Sequence, residues 1–137
     1  MTLEQRWWDY VPAKLGVDPG DPVRPWWKEH FASPWAKLLR VQAVTLNGTV
    51  HFRKEELDYS TLEYRGLLGH ELYHVKQQRE WKFGFPSWLA VYLALQLKAC
   101  LGAWCRWKAF EPRMHPWELP AYEFEDGLMA ELTRQEA

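Results

Sequence analysis

His70-Glu71-Leu72-Tyr73-His74 places two imidazoles four residues apart, with a carboxylate beside the first. On an α-helix, positions i and i+4 share a face, so His70 and His74 can clasp one divalent cation while Glu71 leans towards a water on it. Imidazole nitrogens suit zinc, and a glutamate next to them is the proton acceptor that metal-assisted hydrolysis needs. The plain alternative is a surface helix carrying two solvated histidines and a glutamate.

Two imidazoles leave zinc undercoordinated, because catalytic sites use three protein ligands and keep the fourth position for water. The extended His-x-x-Gly-x-x-His arrangement fails here, since Gln77 and Glu80 occupy the positions of the glycine and the third histidine. A carboxylate from another helix is what remains, and Glu118, Glu123 and Glu125 cluster near the start of the last helical segment. A turn before Glu118 can aim it inward, with Tyr122 and Glu125 on its face at i+4 and i+7, whereas Glu123 points elsewhere. Carboxylates at a helix start also serve as plain complements of the helix dipole. His115 reads as a helix-entry or surface residue rather than a ligand. His51 reads as an ordinary strand histidine, with oxyanion stabilisation as its alternative should the hairpin edge the cleft.

The elements that position these residues follow from the flanking pattern. Ser60-Thr61-Leu62-Glu63 is a capping box, with Ser60 bonding the Glu63 amide, and it predicts a helix from there to about Lys82, ending near Gly84 and Pro86. The motif then lies mid-helix, where i, i+4 geometry is most rigid. Upstream, alternating residues flank Asn47-Gly48, the dipeptide of a two-residue hairpin, and predict antiparallel strands at 39–46 and 49–53. Before them, aromatic clusters alternate with turn signals at Pro12, Pro19-Gly20, Pro22, Pro25 and Pro34, and predict short helices at 25–31 and 34–39. Downstream, residues 87–110 predict a helix in which Trp88 to Leu97 is apolar all round except Gln96. Gln96 and Lys98 near the middle disfavour a membrane span, so the expectation is a helix sandwiched inside the fold or shared with a partner chain, with membrane contact through Trp88 to Cys105 the lesser reading. Pro116 and Pro120 both fit a last helix that begins near Trp117.

A chain of 137 residues is expected to form one domain over 1–137. Seventeen basic against eighteen acidic residues give a net charge of -1, so no basic field draws nucleic acid. Ten tryptophans supply large apolar surfaces, read as core filler before a substrate or membrane platform. Cys100 and Cys105, five apart on a helix, lie beyond disulfide reach and read as free thiols. With no signal-like segment at the N-terminus, the expected compartment is reducing and cytoplasmic.

The chain resembles a gluzincin, the zincin group whose zinc is held by two histidines and a glutamate from a following helix. More closely it is similar to small zincin-like peptidases of bacteria and phages that carry a hairpin, an H-E-L-x-H-V-x-Q helix, an aromatic helix and a P-x-E-x-E-A-like element. The matching residues are Ala43-Val44-Thr45-Leu46, His70 to Gln77, and Pro116 to Ala121, within about 39–126. The resemblance implies Glu118 as the third zinc ligand. Pro120 stands in place of a second glutamate and Tyr122 in place of an orienting aspartate. What it implies overall is an α+β, mainly helical zincin-like minimal domain with a small antiparallel hairpin or sheet. The expected function is a zinc peptidase that hydrolyses amide bonds in a peptide or protein substrate, with Glu71 as general base and an edge strand holding extended substrate. The competing readings are a non-catalytic zinc-binding structural or assembly module and a membrane-associated interaction protein.

Overall fold

Tyr64, Leu68, Leu72 and Val75 recur at helical spacing and are all buried, which fixes one face of a long helix against the core. That helix, α3, spans Leu62–Glu80 and is the axis of the molecule. The computed structural model describes residues 2–15, 27–55 and 61–134. In chain order the elements are α1 (Leu3–Leu15), β1 (Lys28–His30), α2 (Pro34–Leu39), β2 (Ala43–Leu46), β3 (Thr49–Phe52), α3, α4 (Phe85–Cys105), a single 3-10 turn at Pro112–Met114, and α5 (Glu118–Arg134). The fold is mainly helical α+β.

Trp7, Val11 and Leu15 of α1, Val50 and Phe52 of β3, and Leu128 and Leu132 of α5 close over the buried face of α3. Gly69 lets α5 approach, because a Cβ there would come within 2.4 Å of Leu128. Beside that face α3 carries polar residues, and one of them holds the hairpin through two bonds: Gln78 donates to the Thr45 carbonyl at 2.8 Å and accepts from the Gly48 amide at 3.2 Å. Asn47 and Gly48 both have positive φ, 50° and 81°, as a two-residue turn matched to strand twist requires.

Several expectations are corrected. The 25–31 segment is no helix in its described part: Lys28–His30 is a strand that pairs in parallel with β3, so the sheet is three-stranded and mixed, in the order β1-β3-β2, rather than purely antiparallel. The outer edge of β3 offers unpaired backbone groups, and pairing with them outweighs the helical tendency of a short aromatic run. The first hairpin strand starts at Ala43, not 39, because α2 ends with Arg40 in the left-handed region, its amide closing on Ala36 and Lys37. Helix α1 runs through Pro12 instead of turning there; the buried stripe of Trp7, Val11 and Leu15 offsets the missing amide. Thr61 caps α3 by accepting from the Tyr64 amide at 3.3 Å, one residue later than the predicted capping box. Ser60 lies outside the described residues, as do Pro19-Gly20, Pro22 and Pro25.

Helix α4 also departs from expectation. It starts at Phe85 and stops at Cys105, and within it only Trp88 and Ala103 are buried. It is not sandwiched in the fold. Among the described residues it is the one helix long and apolar enough to cross a membrane by length and composition. Trp88 and Tyr92 anchor it, stacking on Trp117 and His115 with ring centroids 5.3 and 4.1 Å apart. Cys100 and Cys105 are both free.

Candidate metal centre

The polar face of α3 and the first turn of α5 meet at one point. Glu118 is the first residue of α5, and its approach is set by the chain just before it. The His115 carbonyl accepts from the amides of Glu118 and Leu119 at 3.1 and 3.0 Å, so His115 closes the helix entry. Its ring is fully buried, which corrects the surface reading. Nδ1 accepts from the Trp117 amide at 3.0 Å, and Nε2 therefore carries the proton donated to the Tyr92 carbonyl at 2.8 Å. Through this one side chain α4 and α5 are locked in register.

His70 Nε2 lies 3.0 Å and His74 Nε2 3.1 Å from the same oxygen, Oε2 of Glu118, and the two nitrogens are 3.2 Å apart. All three side chains are largely buried. A tetrahedral zinc ion with bonds of about 2.0–2.1 Å spaces its ligand atoms about 3.3 Å apart, so this triangle matches the donor spacing of one cation. Electron-rich atoms this close must share protons or a cation. His70, His74 and Glu118 form a group that could hold a metal ion.

The outer contacts fit the same purpose. Tyr92 donates from its hydroxyl to Glu118 Oε1 at 2.6 Å, which leaves Oε2 for the imidazoles. Gln77 turns its Oε1 to His74 Nδ1 at 2.8 Å and is itself fixed by donating to the Trp117 carbonyl at 3.1 Å. His70 Nδ1 is buried without a hydrogen bond and faces Glu125 Oε1 at 3.5 Å. Neutral imidazole ligands turn one nitrogen inward and the other to an outer partner, as Gln77 provides for His74.

Charge follows geometry. Burial pulls the His74 pKa down, but the hydrogen bond and charge of Glu118 more than offset it and raise the value to about 9. Burial alone would raise Glu118, yet the hydrogen bonds from His70 and His74 hold it well below the carboxylate range. Burial lifts Glu125 above its ordinary value. Without a metal, the site holds a proton where the cation would sit.

Glu71 is buried beside His70, and Thr45 of β2 donates to its Oε2 at 2.7 Å. Glu71 and His70 line a cleft of about 450 Å³, walled by Val41, Gln42 and Ala43 on the β2 side, Tyr92 and Gln96 of α4, Phe110, Pro112, and Glu118, Tyr122 and Glu125 of α5. The structure thus gathers His70, Glu71, His74 and Glu118. It leaves Glu123 exposed, and it gives Glu125 the outer nitrogen of His70 rather than the metal position. His51 bonds Ser33 Oγ through Nδ1 at 2.8 Å and is not among the residues lining the cleft. Tyr92, Gln77 and Thr45 join the site without being expected from sequence. Gln77 has a signal in its spacing, three residues past His74 and thus on its face, and Thr45 stands in the hairpin stretch that carries the resemblance; Tyr92 arrives from another element with neither.

A family model described as the eCIS core domain matches residues 22–82. The matched stretch takes in the three strands and α3 with His70, Glu71 and His74, and it ends before Tyr92 and Glu118. No curated protein and no solved structure matches the chain.

Proposed function

We propose that His70, His74 and Glu118 hold one divalent cation, zinc by the nature of the donors, and that the centre hydrolyses peptide bonds. The observation that carries this reading is the convergence of two Nε2 atoms on Glu118 Oε2 beside Glu71, in a cleft open to substrate. When bound, the cation would supply Lewis acidity, polarising a carbonyl and lowering the pKa of water towards about 7. Glu71 takes the proton of the attacking water and returns it to the leaving amine. Thr45 fixes Oε2 of that carboxylate, so its orientation is set before substrate arrives. Gln77 holds the His74 imidazole from behind, Glu125 faces the outer nitrogen of His70, and Tyr92 holds Glu118. β2 is an outer strand of the sheet with Ala43 in the cleft wall, and an extended peptide pairs along it.

A second reading is supported by the comparison. The similarity of residues 22–82 to the core domain of an extracellular contractile injection system favours a role in protein assembly, in which the metal would tie α5 to α3 and Glu71 would turn over nothing. Metal content of the protein purified without added metal, together with cleavage of a mixed peptide library, separates the two. Peptidase activity predicts about one zinc per chain and cleavage that Glu71→Gln abolishes while zinc is retained. Zinc without cleavage in either form makes the chain an assembly module. Absence of bound metal would sink both.

A further inference from the structure

Helix α4 presents to solvent a face that the metal centre does not use. Leu93, Leu97, Leu101 and Trp104 repeat every three or four residues along it and are 56, 61, 50 and 75% exposed. Trp107, just past the helix, extends the stripe at 96% exposure. Apolar surface this continuous marks an interaction site in a folded protein.

We propose that this face docks on the surface of an anionic phospholipid bilayer, with α4 lying in the interface plane. Charge identifies the occupant. No acidic residue lies between Glu80 and Glu111, whereas Lys82, Lys98, Arg106 and Lys108 are all exposed there. Leucines beneath, lysines and arginines beside them, and tryptophans at one end match acyl chains, anionic headgroups and the boundary between the two. A second copy of the chain fits less well, because self-pairing would bring Lys98 and Arg106 against a face with no carboxylate to neutralise them. A transmembrane placement is opposed by the other side of the helix: Tyr92 is bonded to Glu118 at 2.6 Å and Trp88 stacks on Trp117, so that stripe belongs to the protein. Adsorption leaves these contacts intact and brings the cleft, which Tyr92 and Gln96 line, up to the membrane surface.

Co-sedimentation of the full chain with vesicles of phosphatidylcholine and phosphatidylglycerol in equal parts, and of phosphatidylcholine alone, tests this. The expected result is binding to the anionic vesicles that falls with added salt, is weak on neutral vesicles and is unchanged by a chelator, which keeps it separate from the metal chemistry proposed above. Lys98→Glu/Arg106→Glu/Lys108→Glu should weaken it roughly a hundredfold, and Leu97→Gln/Leu101→Gln should abolish it with circular dichroism unaltered. No sedimentation of the wild-type chain with anionic vesicles overturns the proposal. So does a wild-type dimer in light scattering that Leu97→Gln/Leu101→Gln turns into a monomer, which would assign the face to a second copy. Retention in the membrane pellet after alkaline carbonate would overturn it in favour of a span.

Discussion

The Tyr92 hydroxyl donates to Glu118 Oε1 at 2.6 Å and thereby decides which carboxylate oxygen faces the two histidines. Burial, with the charge of Glu118 beside it, raises the phenol well above its ordinary pKa, so it stays a donor across the physiological range. Tyr92→Phe removes this bond and lets the carboxylate rotate. Competition with a chromophoric chelator should show zinc affinity reduced by about 10-fold to 100-fold, with the helix content unaltered. An unchanged affinity would mean that the α5 entry alone orients Glu118.

Metal binding should release a proton. In the metal-free protein His74 is raised from 6.5 to about 9, so its contribution to stability is complete below pH 6.5 and is lost as pH rises through 9. Glu118 is depressed below 4.5, so its contribution is present above that pH and is lost as pH falls through its lowered value. Their ion pair therefore stabilises the metal-free fold most between these limits, and a cation must displace the His74 proton at any pH below 9. Calorimetric titration at pH 7 in two buffers of different ionisation enthalpy should give close to one proton released per zinc, with affinity rising about tenfold per pH unit in this range.

Thr45 is buried and bonds both the carboxylate and the carbonyl of Glu71, at 2.7 and 3.1 Å. Thr45→Val keeps the shape and removes the donor, leaving a buried carboxylate oxygen unsatisfied. Urea unfolding should show a loss of about 1 to 3 kcal/mol, while zinc content stays at the wild-type level.

Gly48 has φ +81°, and a Cβ there would meet nothing within 4 Å. Its requirement is conformational rather than spatial, so Gly48→Ala should still destabilise by about 1 kcal/mol, read as a lower Tm. A neutral result would show that the hairpin turn tolerates a different type. Because Gln78 holds this turn to α3, hydrogen exchange at β2 should quicken in the variant.

Local chemistry was legible in the residues themselves. His70 and His74 face one way because the helix repeat demands it, Asn47-Gly48 turns the chain because two positive φ angles are needed in a row, and a helix entry near Trp117 follows from where Pro116 and Pro120 are tolerated. Only the tertiary structure decided which acid completes the group, since Glu118, Glu123 and Glu125 share a segment and the approach of α5 to α3 through Gly69 selects among them. It also converted part of a proline-rich aromatic stretch into β1, because β3 had an edge to pair, and it left the apolar α4 outside, because the core of α1, α3 and α5 was already closed. Periodicity acts over a few residues and can be read from the chain, whereas contacts such as Tyr92 with Glu118 join segments whose separation in sequence carries no record of their meeting in space.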